Sequence, residues 1–128
     1  MRDMREYQLT ITGLATDGTG TIGYVAIPAS GDLVKITAVL TALSDADQTL
    51  TFEIGGNLIE QGGETVELVM LNADVVGDIQ VVELTANVTT MLLEAQDGDA
   101  IAAGSVLEII ADAAGSGGTA DVTLTIRP

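Results

Sequence analysis

The stretch "GDLVKITAVLTALSDADQTLTFEIGG", residues Gly31–Gly56, is written with a period of two. Val34, Ile36, Ala38 and Leu40 take alternate positions, and Leu50, Phe52 and Ile54 do so again after "SDAD" (Ser44–Asp47). Thr37, Thr41, Thr49, Thr51 and Glu53 fill the places between. Successive side chains of a strand point to opposite faces, so the alternation predicts two half-buried β-strands. Ser and Asp supply the local hydrogen bonds of the turn that joins them.

The same signal extends outward in both directions. Strands are expected at Tyr7–Thr12, Thr21–Pro28, Asp32–Ala42, Gln48–Ile54, Thr65–Asn72, Asp78–Thr85, Ser105–Asp112 and Thr119–Arg127. Turn material separates most of them: "TDGTG" (Thr16–Gly20), "ASGD" (Ala29–Asp32), Gly55–Gly56, Gly62–Gly63 and "GSGG" (Gly115–Gly118). "NVTTMLLEAQ" (Asn87–Gln96) reads as a strand or irregular segment, with a short helix as the alternative, and "DGDAIAAG" (Asp97–Gly104) reads as a loop. About eight short strands at this spacing imply an all-β sandwich or barrel. A length of 128 residues suits one domain. Met1–Glu6 reads as a short N-terminal arm and residues 7–128 as the β domain.

The chain is 47% hydrophobic, yet it has two Tyr, one Phe and no Trp, so its core is aliphatic. Val34, Ile36, Leu40, Leu50, Phe52, Ile54, Leu107, Ile109, Leu124 and Ile126 are the expected core. In "SVLEIIAD" (Ser105–Asp112), Glu108 decides that Leu107 and Ile109 face inward rather than Val106 and Ile110.

Charge and chemistry narrow the function classes. Nineteen acids face four bases, Arg2, Arg5, Lys35 and Arg127, for a net charge of −15. Such a surface repels phosphate backbones and anionic headgroups, which argues against nucleic acid and membrane as partners. It also keeps a protein with exposed strand edges soluble. Cysteine is absent, as is usual of chains made in a reducing compartment. "MRDMREYQLTIT" (Met1–Thr12) has no apolar h-region, and no apolar run reaches the roughly 18 residues of a membrane span.

With neither His nor Cys, the common nucleophile–base pairs and most transition-metal sites are out of reach, so an enzyme is not expected and neither is a cofactor. Paired carboxylates could serve a glycosidase, but three aromatic residues make a poor sugar platform. Asp45 and Asp47, and Asp97 and Asp99, form D-x-D pairs in loops. Neither stretch has the further acids and closing Glu of an EF-hand, so both read as turn acids, and no metal site is assigned. "GGTADVTLTI" (Gly117–Ile126) occurs once and lacks the second glycine of a calcium-binding β-roll repeat. "NVT" at Asn87 is a formal glycosylation triplet, read as chance.

Two stretches carry a resemblance. "YVAIPASGDLVKITAVLTALSDADQTLTFEIGG" (Tyr24–Gly56) and "IAAGSVLEIIADAAGSGGTADVTLTI" (Ile101–Ile126) resemble small virion structural proteins of tailed bacteriophages. In those, G-x-V-x-K/R-I-x-x-V opens a strand, A-D-x-T-L-T-F-x-I-G-G forms the next, and V-x-A-G-D-x-I-E-I-x-x-D-G precedes the last. The match runs through Gly31, Val34, Lys35, Ile36 and Val39, then Ala46, Asp47, Thr49–Phe52 and Ile54–Gly56. It resumes at Ala103, Gly104, Val106, Glu108, Ile109 and Asp112. The chain departs at Ser105, where Asp is usual, and at Ala113–Ala114, which precede the expected glycine. Leu58–Gln96 follows no such pattern.

The resemblance implies a capsid decoration, or cement, protein. It would be a single jelly-roll-like β-sandwich that forms a homotrimer on the outside of a bacteriophage head, is assembled in the host cytoplasm and binds the major capsid protein. A carbohydrate-binding or adhesion module is the alternative, and a neck or fibre-base subunit is a third possibility. For capsid contact the candidate residues are those of the arm, Met1, Arg2, Met4 and Arg5: two guanidinium groups for carboxylates or carbonyls, with adaptable thioethers beside them.

Overall fold

The structure, a computed structural model, describes residues 6–28, 31–61, 64–71, 75–83, 100–101, 104–112 and 114–127. Its strands are β1 (Tyr7–Ala15), β2 (Thr19–Ala26), β3 (Gly31–Ser44), β4 (Gln48–Ile54), β5 (Asn57–Leu58), β6 (Glu60–Gln61), β7 (Glu64–Thr65), β8 (Leu68–Met70), β9 (Ile79–Glu83), β10 (Ala100–Ile101), β11 (Val106–Asp112) and β12 (Gly117–Arg127). The described residues include no helix. β4 has the bounds expected from its alternation, and β1, β3 and β12 run longer than expected.

Two antiparallel sheets form a sandwich. The first has the order β1-β12-β3-β9, with β10 pairing β3 beyond β9; the second has the order β2-β11-β4-β8, with β5 pairing the far end of β4. β6 and β7 form a small ladder of their own. The first four strands alternate between the sheets, β8 lies in the second sheet with β4, and the last two crossings return the chain to β12 between β1 and β3. This is the strand order of a jelly roll, which wraps the chain around one core between two sheets.

The core lies between the sheets. Phe52 is fully buried with Ile36, Leu40, Leu50, Leu107, Ile109, Leu124 and Ile126 around it, as the period-two reading requires. Leu107 and Ile109 face inward, and Glu108 does not. Ile27, Leu33, Ile59, Leu68 and Ala120 also belong to it, beyond the residues that the sequence pattern named. Outside, threonines bond across strands: the hydroxyls of Thr10 and Thr123 are 2.9 Å apart, and those of Thr41 and Thr119 are 2.7 Å apart. Such pairs stabilise a sheet face without adding apolar surface.

Two core expectations are corrected. Val34 is only half-buried, and Leu33 takes its place at 1% exposure. The reason is a bulge: Thr125 pairs with Lys35, but the next residue, Ile126, pairs with Leu33. The extra residue on β3 shifts the phase, so Leu33 faces inward before it and Ile36, Ala38 and Leu40 after it. Ile54, at the end of β4 where the chain turns through Gly55, packs on the rim of the core and is half-buried. A third difference lies in "DGDAIAAG": Ala100 and Ile101 pair with Asp32 and Gly31 rather than lying in a loop. Gly31 is needed there, because a Cβ on it would lie 2.6 Å from the Arg127 carbonyl oxygen. The expected structure of Asn87–Gln96 lies outside the described residues.

Candidate functional site

One end of the sandwich is tied by a buried polar knot. Gln48 opens β4 with its amide fully buried, and Thr16, in the β1–β2 turn, is equally buried. The Thr16 hydroxyl donates to Gln48 Oε1, while Gln48 Nε2 donates to the carbonyls of Ala114 at 2.9 Å and Gly117 at 3.0 Å. Thr16 N–H also donates to the Gly118 carbonyl at 3.0 Å. Both amide protons of Gln48 are thus used, and three loops are held by one side chain. Gly118 has φ +103° and a Cβ there would lie 2.5 Å from Thr16 Oγ1, so this crossing admits only glycine.

Acids in the same loops act as turn braces. Asp45 Oδ1 accepts from Ser116 N at 2.7 Å, and Asp17 Oδ2 accepts from Gly117 N at 2.9 Å. Asp112 takes two backbone donors, Ala114 N at 3.2 Å and Thr49 N at 3.1 Å. Among the described residues no group of three or more acids is arranged to hold a metal ion. Asp97, Asp99 and Asn87 lie outside the described residues.

At the opposite end, the root of the arm is placed. Glu6 Oε2 and Arg127 Nη2 are 2.7 Å apart across β1 and β12, on a pair exposed by more than two-fifths. Exposed pairs of this kind contribute about 0–1 kcal/mol, so the contact guides the chain more than it stabilises it. Met1, Arg2, Met4 and Arg5 lie outside the described residues.

The three aromatic residues separate. Phe52 is core, Tyr7 is half-buried, and Tyr24 is 62% exposed on the outer face of β2. Two exposed apolar surfaces were not foreseen. One is on β9 and the turn before it (Val75, Val76, Ile79, Val81), the other around Tyr24 and Val106. The local pattern points the opposite way for the first: in "DIQVVE" (Asp78–Glu83) the alternation would turn Ile79 and Val81 inward, but pairing with buried Ala38 gives Gln80 the inward phase. No helix among the described residues is long and apolar enough to cross a membrane. Comparison with protein-family models, curated proteins and solved structures returned no match.

Proposed function

We propose that this chain is a capsid decoration protein, binding the outside of a bacteriophage head as a homotrimer and stabilising the shell. The observation that carries the reading is the resemblance of Tyr24–Gly56 and Ile101–Ile126 to tailed-phage virion proteins, set on a sandwich of jelly-roll order. The matching residues have physical work in this fold. Gly31 admits the close approach of β12, and Gly55 and Gly56 turn β4 into β5 with φ of 62° and 84°. Gly104 donates its N–H to the Ile27 carbonyl at 2.8 Å, and Asp112 braces the loop that follows β11.

The rest of the chemistry agrees with binding by shape. A net charge of −15 suits the outer surface of a shell, away from packaged DNA. Three copies at a three-fold position turn modest single contacts into a strong joint attachment. A sugar-binding module is less well supported, since Tyr24 is the one aromatic with most of its surface exposed. Co-sedimentation with undecorated tailed-phage heads tests the proposal: saturable binding that raises the temperature at which heads rupture is expected. Binding to glycans but not to heads would replace it with the adhesion reading.

A further inference from the structure

Of the four bases in this chain, two already face an acid. Arg127 is bonded to Glu6, and the register places Lys35 opposite Glu83. Arg2 and Arg5, both in the arm, are the other two.

On the second sheet the register sets Tyr24, Glu108, Glu53 and Leu58 in one outward row across β2, β11, β4 and β5. Glu108 and Glu53 stand directly opposite each other, and like charges so placed destabilise a sheet. Thr21 Oγ1 donates to Glu108 Oε2 at 3.5 Å, a long bond that leaves both charges in place. The outward rows on either side hold Ala26 and Val106, and Thr21, Ile110 and Thr51, with no base among them. Asp112, further along β11, is taken by the amides of Ala114 and Thr49. Tyr24, Val106 and Leu58 are exposed, so the two carboxylates stand uncompensated in apolar surface.

The arm cannot serve the row of its own chain. Its root is fixed at Glu6 beside Arg127, at the start of β1. Tyr24 follows Gly23, whose Cβ would lie 2.8 Å from Leu14 and 3.6 Å from Ile11, so the row stands level with the middle of β1. From Tyr7 to Ile11 is about 13 Å at the rise of a strand, and crossing to the outer face of the other sheet adds about 10 Å or more. Arg5 adjoins the root, and Arg2 reaches at most about 14 Å beyond it, so the two guanidinium groups cannot both be brought there.

We propose that the arm of one copy crosses to the Tyr24–Glu108–Glu53–Leu58 row of the next. Arg2 and Arg5 meet the glutamate pair, and Met1 and Met4 lie on the apolar surface around it. Asp3 is the one acid between the arginines, so Met1–Arg5 still brings net positive charge to a face that has none. Arm and row are different surfaces, which makes the contact heterologous, and three such contacts close the ring of the proposed trimer. The inference rests on the self-association contained in the proposed function and names the contact that makes it. Loss of the arm then weakens attachment to heads by dispersing the trimer.

Charge exchange in the full chain tests it by sedimentation, with circular dichroism checking the fold of each variant. Arg2→Glu with Arg5→Glu, and Glu53→Lys with Glu108→Lys, each weaken self-association about tenfold or more, and the four changes together restore it. Folded variants that associate like the wild type, or a quadruple variant that stays apart, would overturn the proposal. So would a wild-type chain that is monomeric throughout the micromolar range. Head binding is read separately: association lost with each pair and restored by the four changes, without any attachment to heads, would remove the capsid reading and leave this one standing.

Discussion

Replacing Gln48 by Leu keeps the approximate volume of the side chain and removes every side-chain hydrogen bond of the knot, leaving the backbone bond from Thr16 to Gly118. The Thr16 hydroxyl, fully buried, loses its acceptor, and the carbonyls of Ala114 and Gly117 lose their amide donor. A buried group left without a partner costs about 1–3 kcal/mol. Thr16 carries that in full. The two carbonyls carry less, because Ala114 is half-buried and Gly117 is exposed, so water can replace the amide. The expected loss is about 2–4 kcal/mol. Thr16→Val removes the other partner and leaves Gln48 Oε1 unpaired, at a cost of about 1–3 kcal/mol. Together the two substitutions remove both ends of the same bond, so the double variant loses about 1–2 kcal/mol less than the sum. Urea denaturation at fixed protein concentration measures all three, since association would otherwise shift the midpoint. A Gln48→Leu loss below about 0.5 kcal/mol, or strict additivity in the double variant, would refute the account of the knot.

Three further outcomes follow from named positions. Leu33→Ala loses about 2–5 kcal/mol while Val34→Ala loses about 1 kcal/mol or less; equal losses would mean that the bulge on β3 is absent. Phe52→Ala loses about 3–5 kcal/mol in the same denaturation assay, and a loss under about 1 kcal/mol would place that face of β4 in solvent. Removing Met1–Glu6 leaves the fold intact but weakens attachment to heads, and Arg2→Ala with Arg5→Ala does part of the same. The wild-type advantage shrinks as salt rises, and equal attachment across the salt range would make the arm a loose end.

The legible part of the fold was the part written in local alternation. β4 could be bounded residue by residue because Leu50 and Phe52 lie inward and Thr49, Thr51 and Glu53 outward without a break. β3 could be found but not phased. "GDLVKI" (Gly31–Ile36) offers apolar Leu33 and Val34 in opposite phases, and the choice is made by pairing with β12, some 90 residues away in sequence. β10 was illegible for a different reason: two paired residues are too few for a period. Asp45 was readable as a turn acid from residue type alone, though not the donor it serves, whereas Asp112 was readable only as the end of a strand. Gln48 was not readable as the centre of a knot, since its partners come from two loops distant in sequence, the β1–β2 turn and the β11–β12 connection. The outward Ile79 and Val81 follow from pairing with β3, which sets the phase of β9 against its own hydrophobic pattern.

The capsid assignment is tested most directly by imaging undecorated heads after incubation with the purified full chain. The account predicts new density on the outside of the shell at three-fold positions, each mass fitting three copies of the sandwich, with the N-terminal end of β1 toward the shell. Density confined to the neck or to fibres, or a bare shell at saturating protein, would contradict it.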